Sequence, residues 1–172
     1  KNPKQVPFHN FLALSHREKG NFLLAEKILL NALKLFPREQ SLLTNLGSTY
    51  RVLMEFEKSE KCLKQVLEIN SNNINAIVNY ANLKRDINDY EDSITLYEKA
   101  YKMNNKIPTI VINLAGAYQI VGKFELSKNY LESFIKENQS NVLAHKMLST
   151  IKKYEKNDKH QTMMLSELEK NS

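Results

Sequence analysis

One cysteine, four glycines and four prolines are all that 172 residues hold of the residue types that staple, bend or break a chain. A single cysteine, Cys62, excludes an internal disulfide framework and a cysteine-built zinc site, and it fits a reducing compartment. Scarce glycine and proline leave few places for tight turns, which argues for long helices over a sheet-rich fold. No apolar run approaches the ~20 residues of a membrane-spanning helix, and no signal-type leader is recognisable, so neither a membrane nor export is expected. The chain opens on Lys1 rather than Met, as a piece of a longer protein would. It contains no Gly-rich phosphate loop, His-Glu-x-x-His pair, nucleophile elbow or clustered acidic metal site. A catalytic site, a cofactor and a metal are therefore not expected within this chain.

What is there is a repeat. With 42% hydrophobic and 26% charged residues the chain can bury a core as one domain or a short repeat array. Cut every 34 residues, it restarts at Val6, Gln40, Ile74, Pro108 and Val142. The seventh place of each unit is bulky (Leu12, Leu46, Tyr80, Leu114, Leu148) and the eighth is small (Ala13, Gly47, Ala81, Ala115, Ser149). The seventeenth is aromatic in four units (Phe22, Phe56, Tyr90, Phe124), and the twenty-fourth is bulky in all five (Leu29, Leu63, Tyr97, Leu131, Leu165).

Within a unit, Leu43, Leu46 and Tyr50 precede Phe56 at helical spacing, and Leu63, Val66 and Leu67 follow it. Each unit is therefore expected to be a helix hairpin. Two helices ~8–10 Å apart need a small residue at their closest crossing, which the eighth place supplies. Ala25, Ser59, Ser93 and Ser127, at the twentieth place, form the matching small face. Gly20-Asn21, Asn88-Asp89 and Gly122-Lys123 mark chain reversals within hairpins. Phe36-Pro37, residues 70–73 and Asn104-Asn105 end units, and Pro108 suits a first helical turn.

The segments TNLGSTY (residues 44–50), INLAGAY (112–118) and GNFLLAEKILLNALKLFP (20–37) resemble the tetratricopeptide repeat family. The resemblance implies an all-α, right-handed superhelical solenoid of helix-turn-helix hairpins. Its expected units are a leader at 1–5, repeats at 6–39, 40–73, 74–107 and 108–141, and an atypical fifth repeat or C-terminal cap at 142–172. Repeat one carries His9 and His16 where packing residues are usual, and repeat five carries Lys152 and has Asp158 in place of the aromatic. Both ends read as caps.

The resemblance also implies that first helices line a concave groove, with the second, fifth, sixth, ninth, twelfth and thirteenth places facing it. In the middle repeats the sixth place is Asn45, Asn79 and Asn113, the ninth is Ser48, Asn82 and Gly116, and the twelfth is Arg51, Arg85 and Gln119. A carboxamide offers both donor and acceptor, so an asparagine ladder can hold the backbone of an extended peptide whatever its side chains. The same ladder can instead serve the fold alone. Arg51 and Arg85 read either as a solvated face or as partners of an acidic peptide. The family's carboxylate clamp for chaperone tails is not expected, because Val78, Leu143 and Met147 stand where its basic residues belong.

The formal charge of +6 prompts the question of nucleic acid, but repeats two, three and four each sum to zero. The surplus lies at the ends, +2 each in repeat one, repeat five and the Lys1, Lys4 leader. A phosphate-tracking groove should be basic along its length, so nucleic acid is not expected as a partner. Lys152, Lys153, Lys156 and Lys159 read as a solvated end cap. His9 and His16, two turns apart, are too distant to share a metal ion, and His145 and His160 have no partner of fixed spacing. Cys62 reads as a small apolar residue.

The leading expectation is a non-catalytic cytoplasmic scaffold that binds a protein or peptide. A weaker resemblance offers an alternative. AHKMLSTIKKY (144–154) and MMLSELE (163–169) are similar to the end of the repeat region in bacterial tetratricopeptide-repeat sulfotransferases. It implies the accessory region of a larger bacterial enzyme, with the catalytic domain outside this chain.

Overall fold

The computed structural model of the chain describes residues 5–156 and 158–170; the leader lysines Lys1 and Lys4 lie outside the described residues. Ten helices and no strand occur among them. They are α1 (Val6–Glu18), α2 (Phe22–Leu35), α3 (Gln40–Val52), α4 (Phe56–Ile69), α5 (Ile74–Asp86), α6 (Tyr90–Met103), α7 (Pro108–Ile120), α8 (Phe124–Glu137), α9 (Val142–Ile151) and α10 (Lys159–Lys170). The chain divides within α6 into two compact units, Lys1–Leu96 and Tyr97–Ser172. Each unit is built of helix hairpins, the fold class implied by the sequence.

Three-residue turns at 19–21, 53–55, 87–89 and 121–123 close the first four hairpins. In each, the middle residue adopts the left-handed region: Gly20 at φ 77°, Met54 at 60°, Asn88 at 63° and Gly122 at 74°. The last two residues of each turn donate their backbone N–H groups back to the ending helix. In the second, Met54 N–H reaches Arg51 O at 3.1 Å and Glu55 N–H reaches Tyr50 O at 2.9 Å. Two of the last carbonyls are thereby satisfied, and the chain is turned for the return helix.

Glycine and asparagine tolerate this backbone, whereas Met54 gives no turn signal in the sequence and was not expected at the reversal. A side chain in the left-handed region costs about 1–2 kcal/mol, partly offset by the extra unfolded freedom of glycine. Met54→Gly is therefore expected to stabilise the chain by about 0.5–1 kcal/mol. Its side chain is exposed, so no packing is lost. A rise in the thermal midpoint checks this, and a fall would contradict it.

Small residues meet where the paired helices cross. Ala13, Ala81 and Ala115 are completely buried, as are Ala25, Ser59, Ser93 and Ser127 opposite. The serines also bond: Ser59 Oγ donates to Gly47 O at 2.8 Å, and Ser93 Oγ to Ala81 O at 2.9 Å. The crossing is tightest in repeat two, where a Cβ on Gly47 would stand 2.9 Å from Leu63 Cγ. In the first unit, Ala13, Ala25, Leu29, Leu42, Leu46 and Tyr50 form one core cluster, and Leu43, Val66 and Ala76 a second. In the second unit, Val111, Ala115, Leu131, Phe134, Ile135, Ala144 and Leu148 pack together.

Three columns of the repeat depart from expectation at the ends. Leu46, Leu114 and Leu148 are at most 3% exposed, yet Leu12 is 47% exposed. The seventh place faces the preceding hairpin, and no described helix precedes α1. In the fifth repeat Leu165 is 62% exposed and Ser149 is exposed. Here the connection runs over seven residues, 152–158, so α10 does not return across α9 at the small residue. Asp158 stands where the aromatic would, and its Oδ1 accepts from His160 N–H at 2.7 Å and from Lys152 Nζ at 2.9 Å. It opens α10 with a carboxylate where the other hairpins use apolar packing.

Candidate functional site

In the first unit, α1, α3 and α5 lie side by side and present one face. Hydrogen bonds tie the three together at their N-terminal ends. Asn45 Nδ2 donates to Asn10 Oδ1 at 2.7 Å, and Asn10 Nδ2 to Ser41 Oγ at 2.8 Å. Ser41 Oγ in turn donates to Glu39 Oε1 at 2.9 Å. Between α3 and α5, Asn73 Nδ2 donates to Gln40 Oε1 at 3.0 Å. Asn73 also caps α5, its Oδ1 accepting from Ala76 N–H at 3.0 Å.

These side chains frame an open groove of about 590 Å³, lined by Glu39, Gln40, Ser41, Thr44, Asn45, Asn73, Asn75 and Asn79. Asn45 and Asn79, two expected rungs of the ladder, line it together. Asn79 Nδ2 donates to Asn75 O, one turn earlier on its own helix, at 2.9 Å. Both carboxamide NH2 groups thus have partners inside the protein. Their orientation is fixed before any ligand arrives, which lowers the ordering cost of binding.

Beyond the groove, at the C-terminal ends of the same helices, runs a row of arginines. Arg51 is ion-paired with Asp86, whose other oxygen lies 3.6 Å from Arg85 Nη2. Arg17, at the twelfth place of repeat one, donates to Ser48 Oγ at 2.8 Å. Burial, and then the neighbouring Arg51, hold the Arg17 guanidinium below its ordinary value. Arg51 and Arg85 are therefore neither merely solvated nor unpaired, and one carboxylate serves the two. Ser48 is buried and occupied by Arg17.

The remaining expected positions lie elsewhere on the two units. Asn82 is half-buried on α5. Asn113 and Gln119 lie on α7 of the second unit, where Gln119 Nε2 donates to Ser127 Oγ on α8 at 3.0 Å. Gln119 is thus used within its own hairpin. Asn10 and Arg17 occupy groove places of repeat one, outside the three regular repeats whose columns define the ladder.

The C-terminal histidines are a further departure. His145 and His160, for which spacing gave no partner, are buried and stacked, with Nδ1 of His145 2.7 Å from Nε2 of His160. His145 Nε2 lies 2.7 Å from Gln139 O, and Tyr154 Oη lies 2.6 Å from His160 Nδ1. A carbonyl only accepts, so His145 donates from Nε2 and, when neutral, accepts at Nδ1. His160 then donates from Nε2 and accepts the Tyr154 hydroxyl at Nδ1. Burial, then His145 and Lys152, lower the His160 pKa against the opposing pull of Asp158 and Glu132. Lys152 itself is half-buried between Asp158 and Glu132, at 2.9 Å and 3.6 Å, and so is not part of a solvated basic cap.

A histidine with a lowered folded pKa binds fewer protons folded than unfolded, so its neutral form contributes stability above the ordinary value of about 6.5. That contribution is lost as pH falls below this value toward the folded pKa. Hydrogen exchange of α10 amides is expected to accelerate on going from pH 7.5 to about 5.5, after correction for intrinsic rates, and a His160→Phe variant to show a weaker dependence. Identical pH dependence in the two proteins would contradict the assignment.

The described residues contain no cluster of three or more His, Cys, Asp or Glu side chains able to hold a metal ion, and no helix long and apolar enough to cross a membrane. A sequence profile of the tetratricopeptide repeat matches residues 41–73 and 74–107. Among solved structures, the chain is similar to PilF of Pseudomonas aeruginosa, with a TM-score of 0.76 and 19% identity over 84% of this chain and 66% of that one. It is also similar to PilW, a type IV pilus biogenesis factor, with a TM-score of 0.75 and 21% identity over 88% of this chain and 70% of that one. A third is residues 41 to the end of MamA from Desulfovibrio magneticus RS-1, with a TM-score of 0.73 and 14% identity over 98% and 97% of the two chains. No curated protein matches the sequence. The chain carries tetratricopeptide repeats, and its hairpins have that family's fold. Such repeats are protein-interaction scaffolds. Nothing in these matches supports the sulfotransferase resemblance of the last repeat.

Proposed function

We propose that this chain is a non-catalytic scaffold whose first unit holds an extended peptide in the groove between α3 and α5. The observation that carries the reading is that groove, about 590 Å³ in volume and lined by Asn45, Asn73, Asn75 and Asn79. Its walls are almost wholly neutral amides and hydroxyls. A surface of that chemistry suits the alternating N–H and C=O groups of an extended backbone better than it suits a charged or apolar ligand. The arginine row at the far end of the same face favours an acidic residue in the peptide. Only one carboxylate, Asp86, sits between Arg51 and Arg85.

Site-specific photocrosslinking tests the location. Asn75 is exposed at the groove and can carry a crosslinking side chain without loss of core packing. The partner is expected to crosslink from position 75 and not from position 136 on α8. Crosslinking from position 136 alone would place the partner elsewhere and refute the reading.

A further inference from the structure

A second cavity lies on the other side of the first unit. It measures about 940 Å³ and is formed by α2, α3 and α4. One wall is a stripe of α2, Leu23, Lys27, Leu30, Asn31 and Lys34, spaced as one helical face. The opposite wall is a stripe of α4, Lys58, Lys61, Cys62 and Gln65. Leu43, Leu46 and Tyr50 of α3, buried at the base, make an apolar floor.

The rim is basic. Lys27 and Lys34 on one wall face Lys58 and Lys61 on the other, all four exposed, against Glu26 as the lining carboxylate. Glu26 is also engaged, since it hydrogen-bonds Tyr50 and, after burial, helps push that phenol up to about 12. Lys58 Nζ lies over the Tyr50 ring, 5.3 Å from its centroid, and also pairs with Glu55. The wall helix α2 has 14 residues, ~21 Å of length. Leu23 at 70% and Leu30 at 39% exposure continue the apolar floor up that wall.

We infer that this trough is a second docking site, independent of the asparagine groove, for an amphipathic helix of a partner protein that has leucine-like residues along one stripe and glutamate or aspartate along both edges. A helix of three to four turns laid between α2 and α4 covers the apolar floor, and its acidic edges meet the two lysine walls. The charge pattern selects the partner: four rim lysines, of which Lys58 is paired with Glu55, against the lining carboxylate Glu26 leave the trough net basic, so it repels a basic amphipathic helix and attracts an acidic one. The walls of this trough are second helices, whereas the groove places of the repeat lie on first helices. The lysines of α2 belong to repeat one, with a net charge of +2, and those of α4 to repeat two, which sums to zero, so neither sum marks the trough.

Cys62, in the α4 wall and unique in the chain, reports occupancy. Burial pushes its thiol up to about 11 despite Lys61, so alkylation is slow and readily followed. The probe is a synthetic 14-residue amphipathic peptide with leucines on one stripe and glutamates on both edges, compared with its analogue carrying lysine for every glutamate. The acidic peptide is expected to slow Cys62 alkylation at least fivefold and the basic analogue to leave it unchanged. Lys27→Glu combined with Lys34→Glu, on the wall opposite Cys62, is expected to weaken the acidic peptide at least tenfold while circular dichroism stays native. Asn45→Ala with Asn79→Ala should leave it intact. Four results would overturn the inference: no protection at millimolar peptide, equal protection by the basic analogue, protection by laurate in place of the peptide, or protection that rises with protein concentration alone.

Discussion

Leu63→Ala is expected to destabilise the chain by about 2–5 kcal/mol, the range for a fully buried leucine whose cavity does not collapse. Leu63 has no exposed surface, and it packs against the backbone of α3 at Gly47. The cavity left behind lies where a Cβ at position 47 would go. Gly47→Ala alone would bring that Cβ to 2.9 Å from Leu63 Cγ, so the leucine must move or the helices must part. In the Leu63→Ala background the same change meets no Cγ, and alanine gains about 1 kcal/mol of helix propensity over glycine. The double-mutant cycle should therefore show Gly47→Ala neutral or destabilising in the native sequence and stabilising beside Ala at position 63. Chemical denaturation of the four proteins decides it. Strict additivity would mean that the close approach of α3 and α4 is not a strained fit.

Ala81→Leu is expected to cost about 1–3 kcal/mol by overpacking. Ala81 is wholly buried, and its carbonyl accepts the Ser93 hydroxyl from α6 at 2.9 Å. A leucine there has no space to enter, so α5 and α6 must separate and the serine bond lengthens. Thermal unfolding of the single variant measures the loss, and an unchanged midpoint would contradict the crossing assigned to repeat three.

The repeat by itself makes the hairpins legible in the sequence. Small residues at the eighth and twentieth places recur because two helix backbones approach closely there, and a period of 34 is visible wherever that constraint recurs. Where the constraint lapses, the columns mislead. Leu165 and Ser149 match by position but are exposed, because the long connection before α10 abolishes the crossing. Met54 carries a left-handed turn without any turn residue, since the bonds of the ending helix fix its backbone whatever its side chain.

The asparagines at 45 and 79 were legible as residues of one face, but not their partners. Asn10 comes from an irregular repeat, and Asp86 pairs with an arginine 35 positions earlier in sequence, a distance no local pattern encodes. The histidine pair shows the same limit. His145 and His160 meet because α10 takes a course the regular repeats do not predict.

Calorimetry of the crosslinked partner's peptide, on the native chain and on Asn45→Ala with Asn79→Ala, tests the central claim most directly. Each asparagine contributes about 0.5–1.5 kcal/mol if it bonds the peptide backbone, so losing both is expected to weaken binding about 5- to 150-fold. Lys136→Ala, on α8, should leave affinity unchanged, and native circular dichroism in all variants excludes unfolding as the cause. Because the groove reads backbone, shuffling the peptide's neutral side chains should cost less than removing the two asparagines. Undiminished affinity in a folded double variant would contradict the account, and Asn45 would then serve only to tie α3 to α1 and Asn79 only to bond its own helix.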